Sequence, residues 1–441
     1  MTTGTYYIET YGCQMNEHDS EKMSMLLEGI GLSPVPAPER ADVIIINTCS
    51  IREKAEHKVY SALGKLKSLK VKNPHLVTVV SGCVAQQEKD RLLKRANHLD
   101  CVLGTHCIDE LPVLLQHIRK TGDRLSKTDF SHDVGSLHVQ APVKGRSPVC
   151  SHVTIMQGCS NFCSYCVVPL TRGPEQSRPI EEILQEVRTI TQKSVKEITL
   201  LGQNVNAYRT KGDAHATFAD LLVGLDRIPQ LCRIRFTTSH PRDFSEDLIG
   251  TMAELKTVCE HVHLPLQAGS DRILRAMRRG YSLDGYLKKI AKLRGMIPGV
   301  AITSDIMVGF PGETENDFSQ TFEALREIRF DQIFSFKYSV RPGTLAESLP
   351  EQVPEEEKIQ RLAEIQALQD QITESYNRLA EATEEEVLIE GIRPRSGQPF
   401  GRTRTNKVVN VDPTDEIDIG DVIRVKIMRG LKHSLVGRKV L

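Results

Sequence analysis

Short apolar runs alternate with amphipathic segments through residues 1–120. The apolar runs predict strands at Tyr6–Thr10, Asp42–Asn47, Leu76–Gly82 and Cys101–Gly104. The amphipathic segments predict helices at Glu17–Ile30, Glu53–Lys70, Glu88–Ala96 and Glu110–Lys120. Strands that alternate with helices favour an open parallel sheet with helices on its faces, so this part of the chain is predicted to form an α/β domain.

The same alternation returns after residues 121–150, a polar stretch with little periodicity that is predicted to be a linker. Residues 151–353 contain six more predicted strands: His152–Met156, Glu197–Leu201, Arg233–Thr238, Val262–Leu264, Ala301–Met307 and Gln332–Tyr338. They indicate a second, larger α/β domain.

Two further patterns follow towards the carboxyl end. Within residues 354–383 apolar side chains recur at three- and four-residue steps, which predicts a long helix that packs its apolar stripe on the preceding domain. The stripe consists of Ile359, Leu362, Ile365, Leu368, Ile372, Tyr376 and Leu379. Over residues 384–441, alternating runs predict a small β-barrel with strands at Glu386–Ile392, Lys407–Val411, Val422–Met428 and Leu435–Val440.

Composition narrows the class of protein. The 441-residue chain has a formal net charge of +0, so it is not a wholly basic nucleic-acid binder, and any RNA site must be a local patch. The chain shows no secretory signal and no apolar run of membrane-spanning length, which predicts a cytoplasmic protein without membrane contact. In that compartment the 11 cysteines are better candidates for metal ligands or buried apolar residues than for disulfides.

Basic residues are concentrated in the predicted terminal barrel, where they outnumber the acidic residues. This asymmetry in a neutral chain is typical of a module that binds phosphates. Arg402, Arg404 and Lys407 are the candidate contacts to an RNA backbone. A solvated strand face is the alternative interpretation.

Three cysteines lie close together in the sequence, with Cys159, Cys163 and Cys166 spaced C-x3-C-x2-C. Thiolates are the ligands of iron–sulfur clusters, and the short spacers let one loop surround one cluster. Because a cubane cluster has four irons, one iron would lack a protein ligand and be free to bind a small molecule. The alternatives are a zinc site that borrows a ligand from elsewhere and loop cysteines with no joint role.

Three other cysteines occupy equivalent positions in the first domain. Cys13, Cys49 and Cys83 each follow the carboxyl end of a predicted strand. Because these ends lie along one edge of a parallel sheet, residues far apart in sequence meet there. The three thiols are predicted to hold a second cluster that also lacks a fourth protein ligand. The alternative is that small buried cysteines fit the tight strand-to-helix turns.

The motifs around both cysteine sets resemble those of a known family. The segment Cys159-Ser160-Asn161-Phe162-Cys163-Ser164-Tyr165-Cys166 resembles the signature of the radical S-adenosylmethionine (SAM) superfamily. The segments Tyr11 to Glu21 and Asn47 to Ala55 resemble motifs of the methylthiotransferase family within it, and the terminal module resembles a TRAM domain. The stretch Ser50-Ile51-Arg52 is similar to that of the branch acting on N6-dimethylallyladenosine in tRNA. The sister branches act on threonylcarbamoyladenosine in tRNA or on a ribosomal-protein aspartate.

The resemblance implies a partial (β/α)6 barrel for the central domain and two 4Fe-4S clusters, one binding SAM and one auxiliary. One SAM would give the 5′-deoxyadenosyl radical, another would give the methyl group, and the auxiliary cluster would present the sulfur. The implied substrate is the adenosine immediately 3′ of the anticodon in a tRNA anticodon stem-loop. An external electron donor and a sulfur source are implied as well.

The same resemblance nominates contacts to SAM. Glu175 would accept from its ammonium group, and Ser177 or Arg178 would meet its carboxylate, because the segment from Arg172 to Pro179 resembles the family's methionine-binding loop. The backbone at Val308 and the ring of Tyr165 would face the adenine. Polar residues after the other strands are candidates for ribose or substrate contacts, although each also suits an ordinary turn: Gln203, Asn204, Ser239 and Gln267.

Two other classes of protein use such thiols. An electron-transfer protein would hold two fully ligated clusters, and a metal-stabilised RNA-binding scaffold would hold zinc. The missing fourth ligands argue against the first class. Analysis of metal and acid-labile sulfide separates the second class from the enzyme, because zinc without sulfide would exclude clusters.

Overall fold

A computed structural model describes residues 4–50, 53–130, 148–210, 215–413 and 417–440. Within these ranges no helix is both long enough and apolar enough to cross a membrane. Parts of two stretches with predictions lie outside the described residues. They are Ile51 and Arg52 of the Ser50-Ile51-Arg52 stretch and most of the 121–150 linker.

The amino-terminal domain is a parallel sheet between helices. Its strands are β1 Gly4–Tyr11, β2 Leu32–Pro34, β3 Val43–Thr48, β4 Val77–Gly82, β5 Cys101–Leu103 and β6 Leu125–Lys127. Its helices are α1 Gln14–Gly29, α2 Glu53–Lys72, α3 Cys83–Glu88, α4 Asp90–Arg95 and α5 Leu111–Thr121. The described strands lie in the order β2-β1-β3-β4-β5-β6, all parallel, and each face of the sheet carries its own apolar core.

The four predicted strands and the open parallel sheet are confirmed, with two differences. β2 and β6 have only three residues each, too few to show alternation, and β6 lies in the predicted linker. The helix predicted at Glu88–Ala96 is confirmed as α4, but sequence analysis missed α3, which Lys89, with a φ of +48°, separates from α4.

The central domain repeats the strand–helix unit. Its strands are β7 Cys150–Thr154, β8 Met156–Gln157, β9 Gln176–Ser177, β10 Glu197–Leu201, β11 Arg233–Phe236, β12 His261–His263, β13 Ala301–Val308 and β14 Gln332–Lys337. Its helices are α6 Val168–Arg172, α7 Ile180–Thr191, α8 Phe218–Asp226, α9 Glu246–Glu254, α10 Asp271–Ala276, α11 Leu283–Met296 and α12 Glu315–Ile328.

The six predicted strands of this domain form one curved, parallel layer. β7, β10 and β11 pair in one half, and β12, β13 and β14 pair in the other. A parallel bridge between Ile234 and Val258 joins the halves. Apolar residues on the outer face pack against the helices in one large core, whereas the inner face is mostly polar. The predicted partial barrel is confirmed.

Helix α13, Glu355–Leu379, follows the barrel and packs against β14. The predicted apolar stripe is wrong at its two ends, since Ile359 and Leu379 are exposed. At the first end Arg361 is buried instead, because it pairs with the buried carboxylate of Glu313. Ile365 keeps its predicted place in the barrel core.

The terminal module is a closed five-stranded barrel in the described part of the chain, as predicted. Its strands are β15 Glu384–Ile392, β16 Pro399–Thr403, β17 Val408–Val411, β18 Val422–Gly430 and β19 Leu435–Lys439. Sequence analysis missed β16, which begins at a proline and has Gly401 at its centre, where a Cβ atom would lie 1.9 Å from the Leu388 carbonyl oxygen.

Candidate active site

The sheet brings the three amino-terminal cysteines to one edge. Cys49 and Cys83 directly follow β3 and β4, and Cys13 follows β1 after Gly12. The three strands are neighbours in the sheet. Adjacent strands lie about 4.8 Å apart, so the outer two of these three carboxyl ends are about 10 Å apart. The thiol of Cys49 is hydrogen-bonded to both Cys13 and Cys83. The predicted convergence of this trio, hereafter the sheet-edge trio, is therefore confirmed.

Local backbone geometry explains why small residues accompany these cysteines. A Cβ atom on Gly12 would lie 2.7 Å from Cβ of Cys49. Gly82 has a φ of +90°, and a Cβ atom there would lie 2.4 Å from Oδ1 of Asn47. Both glycines let neighbouring strand ends approach closely enough for the thiols to meet.

A buried arginine from the barrel reaches the sheet-edge trio. Arg172, the last residue of α6, is hydrogen-bonded to Cys83 and forms an ion pair with Asp19 at 2.6 Å. Its charge adds to the hydrogen bonds from Cys49, which lower the pKa of Cys13 to about 7 and that of Cys83 to about 6. The same hydrogen bonds raise the pKa of Cys49, so the edge favours the metal-binding thiolate form at Cys13 and Cys83 while Cys49 stays protonated.

The second trio lies at the mouth of the barrel. Cys159, Cys163 and Cys166, hereafter the barrel trio, lie in the loop between β8 and α6. Burial raises the pKa of the Cys159 thiol to about 11 and that of Cys166 to about 12. Such thiols stay protonated unless a metal supplies the compensating charge.

Arg279 contacts the barrel trio, and sequence analysis missed it. Its guanidinium is buried and donates from Nη1 to the sulfur of Cys163 at 3.4 Å. Its other donors are fixed by the Pro265 carbonyl at 3.1 Å and the Tyr281 hydroxyl at 3.0 Å. This contact places a fixed cation at one sulfur of the barrel trio. The adjacent pair Arg278-Arg279 was the available signal, but only the tertiary structure shows which arginine turns inward.

The spacing of the sulfurs bears on the zinc alternative. Three thiolates on one zinc ion lie about 3.8 Å from each other, because each Zn–S bond is about 2.3 Å. Within the described residues, neither cysteine trio has all three sulfurs within 4.8 Å of each other. In the part of the chain that the structure describes, neither trio therefore forms a ready three-sulfur site for one zinc ion. The described ligand group that does meet this distance, Cys150, Glu197 and Glu390, has its carboxylates paired with arginines.

The two trios are connected by one short helix. The backbone N–H of Val168, at the start of α6, donates to the sulfur of Cys166 at 3.4 Å. At the other end of this five-residue helix, Arg172 contacts Cys83. A helix of that length spans about 7.5 Å. The sheet edge and the barrel mouth therefore face each other.

The barrel mouth contains buried polar atoms that lack hydrogen-bond partners within the described chain. These are Oδ1 of Asn204, Oγ of Ser239 and Nε2 of His240. Buried polar groups are nearly always paired, so these unpaired atoms leave positions that a polar ligand can complete. SAM carries the amine, carboxylate and hydroxyl groups that would satisfy them. The residues present therefore fit this cofactor.

The other predicted SAM contacts differ in their surroundings. Glu175 is partly buried at the mouth, whereas the Ser177 hydroxyl accepts from the backbone N–H of Arg209 at 3.2 Å. Arg178 is fully buried, donates to the Thr154 carbonyl and pairs with Glu186 at 2.7 Å. This pairing argues against Arg178 as the carboxylate contact and leaves Ser177 for that role.

The remaining predicted contacts lie near the barrel trio or at strand ends. Gln203 accepts from the Gly158 backbone N–H at 2.5 Å, beside Cys159. Gln267 has a φ of +71° and pairs through its backbone with Asp305 and Met307. The ring of Tyr165 packs on the same apolar cluster as Met307, and Val308 is buried at the end of β13.

The terminal barrel is fixed to the central domain by charged groups. Arg404 forms two contacts with the carboxylate of Glu260, at 2.7 and 2.8 Å. Lys407 donates to Oδ1 of Asn377 at 3.1 Å. All three predicted RNA contacts thus have partners within the chain. Arg402 lies 3.6 Å from the Glu390 carboxylate, but its half-exposed side chain also lines a cavity between the domains.

Three family models match successive parts of the chain. Residues 5–104 match the uncharacterized protein family UPF0004, residues 153–325 match the radical SAM superfamily, and residues 378–440 match the TRAM domain. The radical SAM match implies a 4Fe-4S cluster and SAM as cofactors. Among solved structures, the fold is similar to the radical SAM methyltransferase TsrM from Kitasatospora setae, with a TM-score of 0.59 and 13% identity over 78% of this chain and 77% of that chain.

Full-length relatives are much more similar in sequence. The chain is 47% identical over 440 residues to the tRNA-2-methylthio-N(6)-dimethylallyladenosine synthase of Carboxydothermus hydrogenoformans, covering 99% of both chains. It is 48% identical over 432 residues to the protein of that name from Geotalea uraniireducens, covering 98% of both. Identity of this extent across all three modules shows that the chain belongs to the tRNA-2-methylthio-N6-dimethylallyladenosine synthase family of radical SAM enzymes.

Proposed function

We propose that this enzyme adds a methylthio group to carbon 2 of N6-dimethylallyladenosine next to the anticodon of tRNA. The observation that carries the proposal is the pair of three-thiol sites that face each other across α6. The barrel trio would hold the SAM-binding 4Fe-4S cluster, and the sheet-edge trio would hold an auxiliary one. When bound, the first cluster supplies the electron that cleaves SAM to a 5′-deoxyadenosyl radical, and the second supplies sulfur.

The protein's own groups would position the reactants and exclude water. Glu175 and Ser177 would hold the amine and carboxylate of SAM, while Asn204, Ser239, Gln203 and Gln267 would bind its ribose or the substrate. The backbone at Val308 and the ring of Tyr165 would flank its adenine. Arg279 holds the Cys163 sulfur at the mouth, and Arg172 does the same for Cys83 at the sheet edge. Fixed ligands would hold the radical source and the sulfur source at defined positions relative to one nucleoside.

The TRAM-like barrel would bind the anticodon stem-loop, because it is basic and lies beside the open inner face of the central barrel. Arg402 is its most accessible candidate among the three predicted contacts. An external electron donor and a sulfur source complete the system. We place the reaction in the cytoplasm, where the tRNA substrate is found.

The nucleoside content of tRNA tests this function. Digested tRNA from a strain lacking the gene is expected to contain N6-dimethylallyladenosine without its 2-methylthio derivative, and the cloned gene should restore the derivative. Mass spectrometry of the nucleosides gives the readout. An unchanged amount of the 2-methylthio nucleoside would point to a sister substrate instead.

The affinity for SAM should depend on pH through Glu175. Burial raises the pKa of this carboxyl to about 7, Asp243 adds to the rise, and Arg242 and Arg209 oppose it. The ionised form accepts from the SAM ammonium, so binding should strengthen as the pH rises from 6 to 8. Below pH 7 the affinity should fall by up to about tenfold per pH unit. Equilibrium binding of SAM to the anaerobic holoenzyme measures this.

The matched variant Glu175→Gln cannot ionise. Its affinity should be weak and nearly independent of pH over the same range. An equal slope in Glu175→Gln and the unmodified enzyme would assign the titration to another group and remove Glu175 from the binding site.

A further inference from the structure

Two phenylalanines on β14 point into the interior of the partial barrel. In the parallel register of β13 and β14, Phe334 pairs with Asp305 and Phe336 pairs with Met307. Paired residues in a parallel sheet point to the same face. The neighbouring residues Ile306 and Val308 belong to the core between strands and helices, on the opposite face. Both aromatic rings therefore lie on the inner wall.

These rings are unusually accessible for aromatic residues in a barrel interior. Phe334 is 43% exposed and Phe336 is 38% exposed. As alternate residues of one strand they are about 7 Å apart, which makes a continuous apolar strip. On one side the His263 ring contacts Phe334 edge-on, with centroids 5.8 Å apart, and His263 in turn lies 3.5 Å from a carboxylate oxygen of Asp305.

One end of this strip reaches the catalytic mouth. Met307, the partner of Phe336, packs on the cluster of Ala268, Phe310 and Tyr338, on which Tyr165 of the barrel-trio loop also packs. At the other end, Phe334 lines a cavity of about 450 Å³ between β14, α13 and the terminal barrel. Arg402 and Lys407 line the same cavity. The strip thus runs from the RNA-binding module to the cluster site.

We propose that Phe334 and Phe336 form the surface on which the target base and its N6-dimethylallyl group bind. The inference rests on the proposed function and names its substrate site. A base taken out of an RNA loop is typically stacked on aromatic side chains, and an apolar N6 substituent needs an apolar surface beside it. Asp305, beside Phe334, is placed to accept from the N6–H of the base. An apolar strip would not suit the carboxylate of a threonylcarbamoyl group.

Binding of short RNAs to the anaerobically reconstituted holoenzyme tests the site. Two anticodon stem-loops are compared by fluorescence anisotropy, one with N6-dimethylallyladenosine and one with unmodified adenosine. The wild-type enzyme should prefer the modified RNA. The double variant Phe334→Ala/Phe336→Ala should bind the modified RNA about tenfold to a hundredfold more weakly and lose most of the preference. Met296→Ala removes an exposed apolar side chain on α11 and should bind like wild type.

A second double variant separates loss of the surface from loss of folding. Phe334→Leu/Phe336→Leu keeps the apolar area and should retain part of the preference, with the iron content unchanged. Wild-type affinity in both double variants would overturn the inference while leaving the proposed function intact. A change in oligomeric state without a change in RNA affinity would also overturn it, because the strip would then contact a second copy. Equal binding of both RNAs by the wild type would overturn the inference as well, whereas the proposed function is tested separately by the tRNA nucleosides of the deletion strain.

Discussion

Replacing Cys163 with alanine is expected to abolish SAM cleavage, whereas replacing Cys49 should leave cleavage intact and stop thiolation. Cys163 belongs to the barrel trio, where Arg279 holds its sulfur. Cys49 bridges the other two thiols of the sheet-edge trio. Loss of one ligand should empty one site and spare the other, so each variant should retain about four irons per chain against about eight in the wild type. Release of 5′-deoxyadenosine and formation of the methylthio nucleoside are measured separately.

An exposed cysteine provides the control for these separate roles of the two trios. Cys232 lies at the protein surface, away from both trios, and Cys232→Ala should retain both activities and all of the iron. Equal loss of SAM cleavage in Cys163→Ala and Cys49→Ala would contradict separate roles. In that case the two trios would act as one site.

The fold was predictable wherever the chain has a clear period. The bounds of β10, Glu197–Leu201, match the predicted strand because alternation and a flanking turn define it. The three-residue β6 is too short to show a period, and β16 starts at a proline that normally argues against a strand. The exposed ends of the α13 stripe show that ion pairs can replace apolar contacts on a buried helix face.

The candidate site was predictable only in its cysteines. Their spacing and their positions after strands are properties of the sequence, and parallel topology then brings Cys13, Cys49 and Cys83 together. Arg279 and Arg172 could not be recognised as site residues from the sequence. An arginine influences a cluster site only when tertiary packing buries it beside a sulfur. Arg178 shows the converse, since a residue in a suggestive motif is already paired with Glu186 in the core.

Replacing Arg172 with methionine should destabilise the protein and loosen the auxiliary site. Arg172 and Asp19 form an ion pair in which both side chains are almost fully buried. Removing one partner leaves the other charge buried alone, which typically costs about 3–5 kcal/mol. At about 1 °C per kcal/mol for a chain of this length, the thermal midpoint should fall by about 3–5 °C. Because the thiolates of Cys13 and Cys83 also lose their cation, the variant should release iron to a chelator faster than the wild type.

A second substitution distinguishes the two effects of Arg172. The double variant Arg172→Met/Asp19→Asn no longer buries an unpaired carboxylate, so its thermal midpoint should recover in part, yet its sheet-edge thiolates still lack the cation. Iron release should therefore stay fast, whereas Arg172→Lys, which keeps the charge, should release iron at a rate near that of the wild type. If the double variant also regained slow iron release, Arg172 would act through stability alone. Persistent fast release would show that a barrel residue stabilises the cluster of the neighbouring domain, and the sulfur source would then depend on the two domains being docked.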